Sequence, residues 1–339
     1  MRKHSFFFLA CLFCMTSCDS HDDDGYITVL TFPTAEYGFA RTVLMCEPGE
    51  EFDFAGSSKA EVQSEHRALA NRLRQEGIEV LEMRPSVRES TATHSDSHSI
   101  VYVRDPILCT PCGLVAGKMC NELRSEEPEL VCACLCKYGQ MPVYRIQSEG
   151  AILEGGDYLP MGTFCLIGCG VRTNLTAIKE LMQADVLGVD TVVVVNDRSG
   201  NMREMHLDTY LNAIDQDLMT LTCERYDAGE EDEEFLSVDV YVRQHGSRPY
   251  TKAFSGQPLL TFLNGRGIHI IRISEFDTLM LGGNYLCIGP RHIIASEGLS
   301  AEFYNTLTEY GVKTDVTPTV NIRTGKGGIH CVTQVISRE

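Results

Sequence analysis

Positive charge is what this 339-residue chain has least of: 29 lysines and arginines stand against 47 acidic residues, a formal net charge of -18. Nucleic-acid binding needs basic patches that neutralise phosphate, so this composition argues against it. Tryptophan is absent, and beyond the N-terminus no apolar run is long enough to cross a bilayer. The acidic run Glu230-Glu231-Asp232-Glu233-Glu234 lacks the spaced ligands and turn glycine of a calcium loop and reads as a solvated hairpin tip. Cys109-Thr110-Pro111-Cys112 has no matching second knuckle, because the other thiol-rich stretch is Cys132-Ala133-Cys134-Leu135-Cys136. Structural zinc sites pair two knuckles, so these are read as core thiols, or as disulfides if the protein is exported, and no metal is assigned.

What the chain does have begins at its N-terminus. Met1-Arg2-Lys3-His4 is basic, residues 6–15 are mostly apolar, and Met15-Thr16-Ser17-Cys18 looks like a bacterial lipobox. The expectation is a lipoprotein signal peptide over residues 1–17, lipid attachment at Cys18, an acidic tether over 18–26, and a single catalytic domain over 27–339. This places the protein in the bacterial cell envelope, touching membrane only through its lipid. The alternative is a start codon assigned too early and a cytoplasmic enzyme beginning near Ile27. Fifteen cysteines, 13 once Cys11 and Cys14 are removed with the signal, fit disulfides outside the cell and thiols inside it.

Along the domain, short β-branched runs alternate with helical spacing. Strands are expected over 27–32, 42–46, 78–83, 100–103, 191–195, 268–273 and 314–320, and helices over 60–76, 173–184, 251–264 and 300–310. Units that recur every 50 to 70 residues or so suggest a closed ring of strand and helix modules in the α/β class. The polar stretch 84–97 is a candidate lid, or a surface excursion.

The chemistry centres on Gly325-Lys326-Gly327-Gly328-Ile329-His330-Cys331. Three glycines permit positive φ and close approach of a ligand, so Cys331 is the candidate nucleophile. Upstream, Glu154-Gly155-Gly156-Asp157 and His206-Leu207-Asp208 supply acids and a histidine, and in a strand His206 and Asp208 would share a face. Arg104-Asp105-Pro106 ends an apolar run, where proline stops a central ladder. Spacing alone supports a Cys/His/acid hydrolase.

These blocks, together with Glu36-Tyr37-Gly38, Glu47-Pro48-Gly49-Glu50-Glu51, Arg172-Thr173-Asn174, Met205-His206-Leu207-Asp208-Thr209 and Gly283-Asn284, resemble the arginine deiminases, in a compact form without their helical insert. The resemblance implies a five-bladed pseudo-symmetric α/β propeller (pentein) with the site on its axis. It also implies hydrolysis of free L-arginine to citrulline and ammonia through a covalent amidino-cysteine, with no cofactor. Asp105 and Asp208 would grip the guanidinium, Cys331 would attack, and His206, oriented by Glu154, would serve the leaving ammonia and the incoming water. A thiol of reference pKa about 8.5 needs the bound cation or His206 to ionise it. Arg124, Arg172, Asn284, Lys326 and Asp157 are the expected substrate-binding residues.

Two positions depart from the family pattern. Lys326 stands where arginine is usual and lacks its planar fork, and Ser99 replaces an asparagine. Methylarginine hydrolysis, amidino transfer, action on peptidyl arginine and, from another class, a non-catalytic guanidino-binding lipoprotein remain as alternatives. Oligomeric state is not legible in the sequence.

Overall fold

The structure, a computed structural model, describes residues 31–49, 56–84, 99–231, 235–244, 247 and 249–339. The expected signal peptide, Cys18 with its tether, the candidate lid apart from its first residue, and His245 lie outside the described residues. No helix among them is long and apolar enough to cross a membrane.

In chain order the strands are β1 (Ala40–Met45), β2 (Glu79–Glu82), β3 (Ile107–Thr110), β4 (Gly113–Ala116), β5 (Pro142–Arg145), β6 (Tyr158–Pro160), β7 (Cys165–Cys169) and β8 (Thr191–Asp197). They continue with β9 (Leu211–Asp215), β10 (Leu218–Thr222), β11 (Leu236–Val242), β12 (Thr251–Pro258), β13 (His269–Ile273), β14 (Leu286–Gly289), β15 (His292–Ser296), β16 (Lys313–Thr317) and β17 (Gln334–Arg338). Among the described residues they form five sheets built on one plan. A first strand pairs antiparallel with a second, a helix follows, and a third strand returns parallel to the second. β3-β4-β5, β6-β7-β8, β9-β10-β13 and β14-β15-β16 all obey it. The fifth sheet joins the chain's two ends, with β17 antiparallel to β1 and β1 parallel to β2.

Each parallel return is a right-handed crossover problem that a helix solves by covering the sheet. Helix Lys59–Gln75 shows how the sequence fixes the ends: Ser58 and Glu61 form a capping box, and Val62, Leu69 and Leu73 on one face are buried.

Five apolar clusters join the sheets in succession. Leu108 and Val115 pack with Ile167 and Val194, Leu166 and Val193 with Met219 and Leu221, and Ile214 and Leu218 with Cys287 and Ile293. Leu286 and Ile294 then pack with Val43 and Val335, and Leu44 and Ile336 return to Ile107 and Leu114. Every sheet thus packs against its neighbours on both sides, and the first strands β3, β6, β9, β14 and β17 are buried over nearly their whole length, polar residues included.

Three expected elements differ. Residues 99–103 are a buried turn-rich segment, not a strand, and their apolar character serves packing under the Cys331 loop. Residues 251–258 form exposed strand β12 at the edge of the second sheet, and helix begins only at Leu259 after Pro258. The acidic run is no hairpin tip at its start, since Glu230 and Glu231 end a helix over Cys223–Glu231, and its remaining residues lie outside the described ones.

Candidate active site

The residues entering the first strand of each sheet converge. Asp105 lies two residues before β3, Glu154 opens the 3-10 turn before β6, and His206 and Asp208 precede β9; Asn284 precedes β14 and Cys331 precedes β17. A repeated sheet plan therefore delivers one loop per sheet to a common place. Asp105, His206 and Cys331 border a cavity of about 210 Å³, lined also by Ser99, Tyr102, Asn121, Arg124, Arg172, Met205, Thr209, Gly325, Lys326 and Gly327, while Glu154, Asp208 and Asn284 are fully buried behind that lining.

Cys331 is buried at its inner end. Its N–H and that of Gly328 both donate to Asn284 Oδ1, at 3.2 and 3.0 Å, while Asn284 Nδ2 donates to the Asp208 carbonyl at 3.0 Å. Asn284 is fully buried and braces the loop through these bonds. The glycines act differently from expectation as well. Positive φ in this loop belongs to Lys326, at 67°, and not to a glycine. Gly327 is needed for space: a Cβ there would sit 2.3 Å from the Tyr102 ring.

His206 and Asp208 do not share the face of a strand. His206 is the N-cap of the one-turn helix Leu207–Tyr210, a turn closed by Thr209 donating to the His206 carbonyl at 2.6 Å. His206 Nε2 lies 2.7 Å from Glu154 Oε2, and Nδ1 lies 3.7 Å from Asp105 Oδ1. Asp208 turns the other way, with Oδ2 2.7 Å from His330 Nδ1 and 3.8 Å from Cys331 Sγ. The close ring–backbone contact at His206 explains Gly156, where a Cβ would come within 2.9 Å of the imidazole.

Electrostatics follow from burial and neighbours. Burial disfavours a charged His206, yet Asp105, Glu154 and Asp157 outweigh it and raise its pKa far above the ordinary histidine value. Glu154, also buried, is held below the usual carboxylate range by His206, Arg124 and Arg172. Burial, then Asp208 and Asp105, push the Cys331 thiol well up. Asp105 Oδ1 and Asp208 Oδ1 are both buried without a hydrogen-bond partner. Each oxygen is left able to accept a further N–H donor.

Arg124 is buried and spent internally. It donates to Asp105 Oδ2 at 2.7 Å, to Glu127 Oε2 at 2.8 Å and to the Tyr102 carbonyl at 3.3 Å, so it holds Asp105 and leaves little to offer a substrate carboxylate. Asp157 is also a positioning group, since its Oδ1 accepts from Leu207 N at 2.9 Å and it does not line the cavity. Burial pushes Asp157 up to about 7. Arg172 and exposed Lys326 do line the cavity, Arg172 with one amino group 3.4 Å from Glu154.

One group escaped sequence reasoning. His330, next to Cys331, is wedged between Asp208 and Glu36, with Nε2 3.2 Å from Glu36 Oε1. Glu36 is buried, and Arg338, at 2.8 Å, with Arg104 and His330, holds it well below the usual carboxylate range. Glu36 carried a family block in the sequence, but its link to His330 spans 294 residues and no local spacing signals it.

One oxygen or nitrogen each from Asp105, Glu154 and His206 lies within 4.8 Å of the others, a grouping that offers a cation three donors. Arg124 and Arg172 already face these carboxylates, so the remaining demand is for hydrogen-bond donors more than for net charge. The described cysteines, including Cys109, Cys112, Cys132, Cys134 and Cys136, are free thiols.

Comparison with known proteins agrees with this geometry. The arginine deiminase family model matches residues 93–338. Arginine deiminase of Halobacterium salinarum is 28% identical over 249 residues, covering 57% of this chain and 50% of that protein. The Borreliella afzelii enzyme is 26% identical over 261 residues, covering 71% and 61%. The chain thus spans about half to three fifths of the curated relatives it matches. Among solved structures, dimethylarginine dimethylaminohydrolase from Pseudomonas aeruginosa in complex with citrulline superposes with a TM-score of 0.65 at 16% identity, covering 89% of this chain and 100% of that one. The N-terminal domain of ArgZ, an arginine dihydrolase from cyanobacteria, gives 0.65 at 18% identity, covering 88% and 97%. The family match covers most of the chain, which belongs to the arginine deiminase family.

Proposed function

We propose that the protein hydrolyses the guanidino group of L-arginine to citrulline and ammonia, and that its five sheets form a closed five-bladed ring around the reacting residues. The ring reading rests on the five apolar clusters, which link each sheet to the next and the last to the first. The observation that carries the chemistry is the pair of buried, unpartnered oxygens on Asp105 and Asp208 beside Cys331.

A guanidinium entering the cavity donates its in-plane N–H groups to Asp105 and Asp208, which sets its carbon over the sulfur. Burial and the two carboxylates keep the thiol protonated; the substrate's positive charge offsets the carboxylates, so the thiol loses its proton to solvent and a thiolate forms with substrate present. The thiolate attacks the carbon, giving a neutral tetrahedral adduct. His206, already an imidazolium, protonates one amino group, which departs as ammonia and leaves a cationic amidino-thioether. The now neutral imidazole takes a proton from water as the oxygen adds to that carbon. Collapse breaks the C–S bond, forms the ureido carbonyl and returns a proton to the sulfur. Glu154 keeps the imidazole oriented and basic, and Arg124 keeps Asp105 in place.

The test is release of ammonia and ureido product from L-arginine, methylarginines and agmatine by the protein lacking residues 1–26, beside Cys331→Ala. Citrulline from arginine, abolished in the variant, supports the reading; turnover confined to methylarginines would replace it. Methylarginine hydrolysis is the second reading, because the compact chain covers the full length of the dimethylarginine dimethylaminohydrolase structure.

A further inference from the structure

A second and larger cavity, of about 680 Å³, opens beside the first. The same two loops wall both. Arg203 and Glu204 face the large cleft while Met205 and His206 face the smaller cavity, and Arg323 faces the cleft while Gly325 and Gly327 face the cavity; Lys326 lines both. The cleft carries four cations, Arg203, Arg272, Arg323 and Lys326, balanced by as many carboxylates. Its apolar wall is Leu279, 63% exposed, with Leu281. Leu281 and Lys326 are two of the four described non-glycine residues with positive φ, a strained conformation that persists where surrounding structure enforces it.

Free arginine would leave this cleft empty. Its guanidinium at Asp105 puts the α-carbon at the cavity mouth, where Arg172 and Lys326 are the cations still available to a carboxylate. Lys326 also borders the cleft, so a chain extended from the amino group past Lys326 would enter it. A surface balanced in charge, with polar groups around an exposed leucine, suits a short peptide backbone and side chain better than a single charged small molecule.

We propose that the cleft binds the residues preceding a C-terminal arginine, so that the preferred substrate class is a short peptide ending in arginine. This rests on the guanidino-hydrolase reading above and names its substrate more closely. Binding energy gained along the cleft, remote from the reacting carbon, is available to hold the guanidinium in its reactive pose.

The experiment compares kcat/KM for free L-arginine, Ala-Ala-Arg and Ala-Ala-Arg-amide in the full protein and in Leu279→Trp, with Leu279→Ala as a milder variant. Product is read as conversion of arginine to the ureido residue by mass spectrometry. The tripeptide is expected to exceed free arginine by about tenfold or more, the scale on which remote contacts raise reactivity. Leu279→Trp narrows the cleft and is expected to remove that gain while leaving free arginine within about twofold, because an exposed residue away from the reacting groups is being changed. Leu279→Ala is expected to lose part of the gain, and the amide to lose most of it with its carboxylate. A tripeptide no better than arginine overturns this inference and leaves the deiminase reading intact. A gain untouched by both Leu279 variants overturns the assignment to this cleft, and an amide as good as the acid overturns the roles of Arg172 and Lys326. Turnover of none of the three overturns the deiminase reading and this inference with it.

Discussion

Replacing Asn284 by alanine separates a brace from a substrate contact. The side chain takes two buried N–H groups, from Gly328 and Cys331, and gives one N–H to the Asp208 carbonyl. Alanine leaves two buried donors and an acceptor unsatisfied, at about 1–3 kcal/mol each before relaxation. Local shifts recover part of this, so a net loss of about 3–5 kcal/mol is expected. For 339 residues, an unfolding entropy of about 2.1 cal/mol/K per residue gives about 0.7 kcal/mol/K, so the midpoint falls by about 4–7 °C. The loop that sets Cys331 and the turn that sets Asp208 both loosen, and a misplacement on the order of 1 Å costs about a hundredfold in kcat. KM should change little, because Asn284 lies outside the cavity lining. Differential scanning calorimetry and steady-state kinetics on L-arginine read both effects. A midpoint within about 1 °C of wild type, together with a raised KM at unchanged kcat, would refute the bracing role and restore Asn284 as a ligand contact.

Other outcomes follow from the same geometry. Gly327→Ala forces a Cβ against the Tyr102 ring and should abolish most activity while the protein stays folded by circular dichroism. Alkylation of Cys331 by iodoacetamide should be slow at pH 7 in the empty enzyme and become several-fold faster in Asp208→Asn, because burial aside, Asp208 is the main group holding the thiol protonated. No change in rate would remove Asp208 from that role. Arg124→Met leaves Asp105 and Glu127 buried without their cation and should cost about 3–5 kcal/mol in urea unfolding. Glu36 has a folded pKa depressed by Arg338, Arg104 and His330 against the opposing effect of burial. Its stabilisation is therefore present above the ordinary value of 4.5 and is lost as pH falls below it toward the folded pKa. Glu36→Gln should flatten the acid limb of a stability–pH curve, and an unchanged limb would show that other carboxylates carry it.

Three helices and four of the five third strands were legible because their signal is local, while the helices over Glu127–Cys136 and Cys223–Glu231 and strand β5 were not. Helix Lys59–Gln75 carries its own capping box, and Thr191–Asp197 its β-branched run. Residues 99–103 misled for a physical reason: Tyr102 reaches the Ile322 carbonyl at 3.0 Å and packs under the glycine loop, so apolarity there reports burial and not extension. Strand β12 was hidden because an exposed edge strand shows no buried face to alternate. At the site, Cys331, His206, Glu154 and Asp105 were readable from motif blocks, and the structure places Cys331, His206 and Asp105 around one cavity with Glu154 behind His206. The internal bonds that hold Asn284, Asp157 and Arg124 were not readable. Each is polar, and each sits in a family block or at a family position, but what its donors and acceptors meet is decided by chain segments from other sheets.

The covalent step on Cys331 is tested most directly by mixing the protein with L-arginine, quenching with acid within the first turnovers and mapping the digest by mass spectrometry. An amidino group on the peptide containing Cys331, appearing before citrulline and equal release of ammonia, is the expected result. Citrulline formed with no adduct at Cys331 under any quench time, or undiminished in Cys331→Ala, would contradict nucleophilic catalysis by this thiol.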